Sequence, residues 1–477
     1  MLVLREDLAV SVLYDDESRF GSALTRRADE VAREVFRPLY QAMLGERPEA
    51  PSALRGVVRR RAAFRAATES LGRRGWLVRP EVLYPDPART RPAVLTIGPT
   101  PEAPSLLLEV APSRWREIHD VVAALATVGV ERSSQHPVVR AMYARGLLRE
   151  QEATLPYEEE ADLRFVGHNT AVVRSARATI VTDPLLLPRG PEDHDYAPLP
   201  RAKLGPVQAI LITHSHVDHF HPGSLLQFDR RTLVIVPHVP RESLLSPDMA
   251  HRAREFGFEN VEILRWGESR WIEDIEVVAL PFYGEQPTVG VRLHPEVRNC
   301  GNTYFVRTPK LSMAFLADTG RDERGDMLTD VAPSIRSLGP PDLLFVGHRG
   351  VTLKPVDLLS SDLARYFYFV PPEAWEEPQQ LMTTSQEAAA IAEATDTSFV
   401  VPYAAGGAPW HWRLGLGPNL HAPDSENPDV NPFPERFVEY CRPGGPHPLV
   451  LRPGDGLARE GQQLKLLRTR PHAWPGP

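Results

Sequence analysis

The sequence predicts an α/β protein of two domains, in which a layer sandwich of sheets and helices follows a smaller N-terminal domain. The length of 477 residues exceeds what one hydrophobic core usually serves. From about residue 162 onward, short β-rich runs alternate with turns, a pattern typical of strands. A helical stretch at 385–394 lies among these runs, so we expect an α/β layer sandwich and not an all-β fold.

Residues 1–155 form the predicted N-terminal domain, which we expect to be mostly helical or winged-helix-like. The stretch SRWREIHDVVAALATVGV has apolar residues at helical spacing, namely Ile118, Val121, Val122 and Leu125. A second helix is predicted over 137–148, opening on a proline. Because both helices follow the strand-like run LLLEV, the unit resembles the small peptide-binding winged-helix domains of peptide-natural-product pathways. Recognition, dimerisation and a lid are the alternative roles.

The acidic, unpatterned stretch REQEATLPYEEEAD at 149–162 marks a linker, which places the domain boundary near residue 155. The layer sandwich is predicted over 156–425, and the Pro- and Gly-rich residues 426–477 are predicted to form a C-terminal tail. Almost every β-rich run of the sandwich ends in a polar or metal-capable residue. Ligand-bearing loops gather at one edge of a sheet, so a functional site is expected there.

Composition narrows the classes of function. The net charge of −8 argues against nucleic-acid binding as the primary role, because that role needs a basic face. The sequence has no apolar run of about 18 residues and no signal-peptide pattern, so we expect a cytoplasmic protein. Its cysteines, Cys300 and Cys441, do not form a CxxC pair, so any metal must rely on nitrogen and oxygen ligands.

The stretch THSHVDHFH at 213–221 follows an apolar run and concentrates four imidazoles and a carboxylate. Its HxHxDH spacing allows His214 and His216 to bind one ion while Asp218 and His219 reach a second. Two ions about 3.5–4 Å apart are the usual result of such sharing. His221 falls outside the spacing, and we expect it at the surface or beside the ligands.

The motif resembles the metallo-β-lactamase superfamily, and the resemblance extends over roughly residues 162–425. It implies a four-layer αβ/βα fold whose dinuclear site is completed by a further histidine, a bridging aspartate and a final histidine from later strand ends. Asp318 in FLADTG matches the bridging position. His348 in FVGHRG matches the final position, with His411 in PWHW as its competitor.

The third position departs from the hydrolase pattern, because VVALPFYGEQP offers Glu285 where hydrolases have histidine. His238 in VIVPHVP is the competing candidate, although it follows His219 closely. An added carboxylate favours an ion that must reach a high oxidation state, since negative charge stabilises the more oxidised metal. The resulting set of three carboxylates and four imidazoles is closer to a diiron oxygen-activating site than to a dizinc hydrolase.

Within the superfamily, the chain is similar to the diiron β-hydroxylase of chloramphenicol biosynthesis, which acts on an aminoacyl group carried by a nonribosomal peptide synthetase. The similar stretches are LRFVGHNTAVV, TDPLL, LITHSHVDH, ALPFYGE and FLADT. In that family the glutamate of an ALPFxGE stretch is an iron ligand, which implies the same role for Glu285.

The resemblance implies a diiron monooxygenase that hydroxylates an amino-acid-like substrate, either free or bound to a carrier protein or peptide. Dioxygen would be the co-substrate, and a ferredoxin or a reductase the electron donor. The predicted catalytic residues are Glu285 and Asp318. The predicted metal ligands are His214, His216 and Glu285 for one iron, Asp218, His219 and His348 for the other, and Asp318 as the bridge.

Two other hypotheses come from different classes. The first is a dizinc hydrolase that cleaves a lactone, an ester or a phosphodiester with a metal-bound hydroxide. The second is a noncatalytic scaffold whose N-terminal unit recognises a peptide or carrier protein. A homodimer is compatible with each of them.

Several residues near the motifs are expected to support the site. Asp183 in VTDP is predicted to accept a hydrogen bond from a ligand imidazole and to set its tautomer. His168 in VGHN also ends a strand, and the sequence assigns it no role. An aromatic-walled pocket over the metals is predicted from Phe282, Tyr283, Tyr403, Trp410 and His411. Aromatic residues near turns are as often core residues, so both roles are open for this set.

Overall fold

A computed structural model describes most of the chain at the level of individual residues. The described residues are 1–13, 93–99, 104–151, 161–186, 199–243, 246–286, 289–290, 298–350, 352–355, 374, 377–404 and 434–467. Among them, none of the helices has the length and apolar character needed to cross a membrane.

The strands of the described residues are numbered in chain order. They are β1 (Leu2–Leu4), β2 (Ala9–Leu13), β3 (Ala93–Gly98), β4 (Leu106–Val110), β5 (Leu148–Glu150), β6 (Leu163–Gly167), β7 (Thr170–Arg174), β8 (Thr179–Thr182), β9 (Ala209–Leu211), β10 (Leu233–Pro237), β11 (Val261–Leu264), β12 (Ser269–Ile272), β13 (Ile275–Pro281), β14 (Asn302–Arg307), β15 (Ser312–Phe315), β16 (Arg321–Asp322), β17 (Gly325–Asp326), β18 (Leu343–Gly347), β19 (Thr352–Leu353), β20 (Gln379–Gln380), β21 (Phe399–Tyr403), β22 (His447–Pro448), β23 (Gly456–Glu460) and β24 (Gln463–Leu467).

The helices of the same residues are α1 (Trp115–Ala126), α2 (Pro137–Ala144), α3 (Pro222–Leu225), α4 (Met249–Glu255), α5 (Ala332–Leu338), α6 (Ser385–Thr395) and α7 (Pro434–Val438). Short 3-10 turns lie at Pro112–Arg114 and Arg201–Leu204, and a π-helical turn at Met327–Val331 precedes α5. The long helix α6 begins with a capping box between Thr384 and Glu387, which explains why it begins where the sequence predicts.

Two large mixed sheets form the centre of the molecule. The first has the order β11-β10-β9-β8-β7-β6-β23-β24, and β8 to β11 run parallel. The second has the order β12-β13-β14-β15-β18-β21-β22, and β15, β18, β21 and β22 run parallel. The carboxyl ends of parallel strands meet at one edge of each sheet, so the loops that follow β8, β9, β15 and β18 can build a common site.

The apolar residues separate into layers that match this arrangement. One core lies between the two sheets and contains Phe165, Leu211, Ile275 and Phe345. A second core covers the outer face of the first sheet with α1, α3 and α4, and a third covers the outer face of the second sheet with α5, α6 and α7. The central strands, such as β7, β9 and β18, are buried on both faces, which explains their near-continuous apolar sequences. The predicted four-layer αβ/βα architecture is confirmed.

The N-terminal elements pack against the outer face of the first sheet. Strand β1 pairs with β5, and β2, β3 and β4 form an antiparallel sheet of their own. Both ring nitrogens of buried His119 in α1 lie within 2.9 Å of carbonyl oxygens, those of Phe228 and Phe256. A Cβ at Gly223 would lie 1.8 Å from the carbonyl oxygen of Val10, so only glycine allows α3 to approach β2 this closely.

Three local differences from the sequence predictions have physical explanations. The second predicted helix, 137–148, ends at Ala144, because Gly146 adopts a positive φ of 67° and Leu148 begins β5. The first predicted helix is confirmed, although its regular part is Trp115–Ala126. The predicted tail contains the hairpin β23–β24, which pairs with β6 and extends the first sheet. Leu457 in this hairpin is buried between the sheets, a burial that the Pro- and Gly-rich composition concealed.

Candidate metal centre

Five strand ends bring polar side chains together at one edge of the two sheets. The loop 213–221 follows β9, Asp183 follows β8, and Glu285 comes shortly after β13. Asp318 follows β15 and His348 follows β18 directly. The strands are rigid, so these side chains are presented by fixed elements and not by one flexible loop.

The first donor group consists of His214, His216 and Glu285. Glu285 Oε2 lies 2.9 Å from His214 Nε2 and 3.0 Å from His216 Nδ1. The three side chains are almost completely buried, and their candidate ligand atoms lie within 4.8 Å of one another. Burial works against ionisation of Glu285, but the two imidazoles outweigh it and lower the pKa of this carboxyl group. The group is therefore a compact N₂O donor set with an ionised carboxylate.

The backbone around Glu285 holds the carboxylate in place. Gly284 has a φ of 95° and Glu285 a φ of 51°, which is uncommon for a residue with a side chain. The Glu285 amide donates to the Leu381 carbonyl at 2.7 Å, and the Gly284 amide donates to Asp322 Oδ2 at 3.1 Å. A buried Arg298 also binds that Asp322 oxygen, at 2.5 Å. The hydrogen bonds from the Glu285 and Gly284 amides thus stabilise the positive φ of both residues.

The second donor group contains Asp218 and His219 from the motif together with His168. Asp218 Oδ2 lies 2.9 Å from His168 Nε2 and 3.6 Å from His219 Nε2. Burial alone would lower the pKa of His219, but the carboxylates of Asp218, Asp318 and Asp183 raise it well above its ordinary value. These carboxylates stabilise the protonated, positively charged form of the imidazole. The same negative charge would stabilise a bound metal cation.

Asp318 lies next to the second group. Its Oδ2 is 3.5 Å from His219 Nε2, and its Oδ1 accepts a hydrogen bond from Asn169 Nδ2 at 3.1 Å. The preceding residue, Ala317, has a φ of 53°, and its amide donates to the Tyr403 hydroxyl at 2.6 Å. Asp318 is therefore aimed at the motif histidines by a constrained strand end.

His348 is fully buried beside this strand end. Gly347 packs so closely that a Cβ there would lie 2.5 Å from the Ala317 carbonyl oxygen. His348 Nδ1 is 3.2 Å from Ser385 Oγ, whereas Nε2 has no hydrogen-bond partner among the described residues. Burial, together with the Arg349 charge, lowers the pKa of His348 to about 3, so the ring is neutral. A buried, neutral imidazole with an unused nitrogen fits a metal ligand.

Asp183 contacts His219 of the second group at Nδ1, the ring nitrogen that does not face Asp218 and Asp318. Its Oδ2 lies 2.8 Å from His219 Nδ1 and accepts a hydrogen bond from Thr213 Oγ1 at 2.6 Å. Its Oδ1 accepts a bond from the Thr213 amide at 2.7 Å. With Nδ1 bound to Asp183, His219 keeps Nε2 directed at Asp218 and Asp318. This is the geometry expected of a carboxylate that sets the tautomer of a ligand histidine.

The remaining sequence candidates occupy different surroundings. The Phe282 ring packs on His214 with centroids 5.1 Å apart, and Tyr283 packs edge-on against Trp266. Tyr403 belongs to the core between the sheets. Trp410 and His411 lie outside the described residues. Neither donor group includes His238, whereas His221 caps α3 through a bond from the Ser224 amide to its Nδ1.

Sequence reasoning left two residues of the site unassigned, His168 and Asn169. Both are buried and both contact predicted ligands. The available signal was the histidine in VGHN at the end of a strand that precedes the motif. Its significance depends on which strands are neighbours in the sheet, and that is a tertiary property.

The two donor groups lie at one edge of a metallo-β-lactamase fold, and the side chains of each group could hold a metal ion. Residues 178–402 match the family model described as the β-lactamase superfamily domain.

A particular relative is the 4-amino-L-phenylalanyl-[CmlP-peptidyl-carrier-protein] 3-hydroxylase of Streptomyces venezuelae. It is 30% identical over 270 residues, which cover 55% of this chain and 47% of that enzyme. The alignment therefore spans about half the length of this curated relative.

The solved structures extend the fold comparison to nearly the whole chain. The crystal structure of CmlA, a diiron β-hydroxylase from Streptomyces venezuelae, is 19% identical with a TM-score of 0.63. The match covers 98% of this chain and 99% of CmlA. A CmlA point mutant matches with a TM-score of 0.63 at 17% identity, covering 98% of this chain and 100% of that one. At these identities the likeness establishes the fold.

Proposed function

We propose that the protein is a non-haem diiron monooxygenase that hydroxylates a C–H bond of an amino-acid-like substrate. The observation that carries the proposal is Glu285, whose carboxylate closes the donor group of His214 and His216 at 2.9 and 3.0 Å. A dizinc hydrolase is adequately served by neutral imidazoles at this position. The added negative charge favours an ion that must become more oxidised during turnover.

The donor set divides into two halves. His214, His216 and Glu285 would hold one iron, and Asp218, His219 and His348 the other, with Asp318 as the bridge. The unused Nε2 of His348 and the convergence of carboxylates on His219 support this assignment. When bound, the reduced iron pair supplies the activation of dioxygen.

The chain's own residues prepare the site for this chemistry. Asp183 holds the Nδ1 proton of His219, so that Nε2 is the nitrogen available to a metal. The Phe282 ring covers His214 and excludes water from that side of the first donor group. The Asp322 and Leu381 contacts keep Glu285 in its positive-φ conformation, so that its carboxylate is already oriented before substrate binds.

The overall reaction balances as a monooxygenation. A substrate C–H bond, dioxygen, two electrons and two protons give a C–OH group and water. The two electrons come from an external donor such as a ferredoxin or a reductase.

The substrate is an aminoacyl group tethered to a peptidyl carrier protein. The name of the Streptomyces relative states a carrier-bound 4-amino-L-phenylalanyl group and a 3-hydroxylase activity, which supports this substrate class here. We further propose that residues 1–155 recognise the carrier protein or mediate dimerisation, and that 156–425 with the C-terminal strands form the catalytic unit.

The decisive experiment combines metal analysis with isotope labelling. The purified protein is reduced, exposed to ¹⁸O₂ and incubated with a panel of aminoacyl carrier proteins. We expect about two irons per chain and a product that carries one ¹⁸O atom. Two tightly held zincs, together with cleavage of an ester or a lactone in the absence of oxygen and reductant, would overturn the proposal. Glu285→Gln provides the inactive control.

A further inference from the structure

The end of β6 directs two consecutive side chains into the metal centre. In a regular strand, neighbouring side chains point to opposite faces of the sheet. Here the pairing of β6 with β7 shifts register between Phe165 and Gly167, and Gly167 has a φ of 136°. His168 follows with a φ of 51°, and both His168 and Asn169 are buried. An irregularity of this kind re-aims side chains and is common next to functional sites.

His168 contacts one of the two carboxylates of the second half-site. Its Nε2 lies 2.9 Å from Asp218 Oδ2, and the two side chains are 1% and 5% exposed. A hydrogen bond to Oδ2, the oxygen that faces His219 Nε2, restricts rotation of the carboxylate. A ligating carboxylate commonly has such a partner in metal sites.

Asn169 makes the corresponding contact with the other carboxylate. Its Nδ2 donates to Asp318 Oδ1 at 3.1 Å, whereas Asp318 Oδ2 faces His219. The orientation of the amide is determined by this neighbour, because an amide oxygen would repel the carboxylate. Nδ2 also lies 3.0 Å from His219 Nε2, so Asn169 sits beside the nitrogen on which both carboxylates converge.

Asp218 and Asp318 approach the same atom, His219 Nε2, at 3.6 and 3.5 Å. Two carboxylates that approach one atom repel each other, and the repulsion tends to rotate them apart. A donor on one oxygen of each carboxylate opposes that rotation. His168 and Asn169 supply one donor each, from adjacent positions on one rigid strand end.

We propose that His168 and Asn169 are a pair of positioning residues that orient Asp218 and Asp318 for the second metal ion, and that neither is itself a metal ligand. The inference rests on the proposed dinuclear site, but not on hydroxylation as its reaction. The pair contacts Asp218, His219 and Asp318, which the proposed site assigns to the second ion and the bridge. The first metal ion also has His214, His216 and Glu285, so we expect it to depend less on the pair than the second ion does.

The test is a titration of the metal-free full-length protein with Co²⁺, whose visible absorption reports coordination, and with Fe²⁺. We expect two ions in the wild type. In His168→Ala and in Asn169→Ala, we expect the second ion to bind about 10–100-fold more weakly, the usual effect of losing such a partner, and the first ion to lose less affinity than the second. His168→Gln keeps a donor and should recover most of the affinity.

Controls separate the outcomes. His251→Gln removes an exposed histidine of α4 and should bind both ions normally. Asn169→Ser replaces Asn169→Ala if the alanine variant does not fold. Normal affinity for the second ion in both alanine variants would overturn the inference. An equal loss in His168→Gln and His168→Ala would do so too, since it would identify His168 as a ligand. A wild type that binds fewer than two ions would instead contradict the proposed dinuclear centre.

Discussion

The substitution Asp183→Asn tests whether a carboxylate behind the metal centre controls which nitrogen of His219 faces the ions. Asp183 already has a positive φ of 34°. Asparagine is among the residues that best tolerate this region, so the exchange adds little backbone strain. It replaces Oδ2, which lies 2.8 Å from His219 Nδ1 and 2.6 Å from Thr213 Oγ1, with an amide group that donates. His219 then finds a donor where it had an acceptor.

The expected magnitude follows from these contacts. A hydrogen bond to a charged group contributes about 1.5–3 kcal/mol, and the His219 contact is lost outright. His219 is expected to adopt the tautomer that accepts at Nδ1, which places the proton on the nitrogen needed by the metal. Losing such a partner weakens metal binding about 10–100-fold, equivalent to roughly 1.4–2.7 kcal/mol.

The assay is metal affinity from titration of the metal-free protein, with thermal unfolding of the metal-free and metal-loaded forms in parallel. The Asn variant should lose metal-dependent stabilisation and remain folded without metal. Thr213→Val is the matched control, because it removes the Thr213 hydroxyl but leaves the contact between Asp183 and His219 intact. An Asp183→Asn protein with wild-type affinity for both ions would refute the reasoning.

Three further predictions address metal selectivity, stability and pH. Glu285→His should reduce retained iron and increase retained zinc. Elemental analysis of protein purified from mixed-metal medium measures both. An unchanged preference for iron would contradict the proposal that the Glu285 carboxylate favours iron over zinc. His119→Ala should lower the free energy of unfolding by about 2–4 kcal/mol, since it leaves a cavity and two buried carbonyl groups without this partner. Urea denaturation measures this change. The metal content of the folded variant should equal that of the wild type. Burial lowers the pKa of His348 to about 3, so the unfolded chain binds a proton there that the folded metal-free protein does not. Stability should fall as pH decreases from about 6.5 to about 3, by up to about 1.4 kcal/mol per pH unit, and His348→Gln should show a shallower decrease over the same range.

The local parts of the site could be read from the sequence because their geometry is local. The HxHxDH motif lies within one loop after one strand, so its spacing alone indicates which side chains can share an ion. Glu285, Asp318 and His348 could be proposed from the family resemblance, because each follows an apolar run at a position that matches a ligand of the family. The succession of strands and helices predicted an α/β layer sandwich, and the resemblance to the metallo-β-lactamase superfamily implied its four-layer form.

Only the tertiary structure decided which distant residues complete the site. His168 and Asn169 enter it through a register shift between β6 and β7 and a positive φ, neither of which leaves a pattern in the sequence. Tyr403, a candidate for the pocket, is a core residue that binds the Ala317 amide. The hairpin β23–β24 completes the first sheet from a segment whose composition suggests a tail. Spacing along the chain determines contacts within a loop, whereas contacts between strand ends depend on pairing and register, and these are set by the packing of the whole fold.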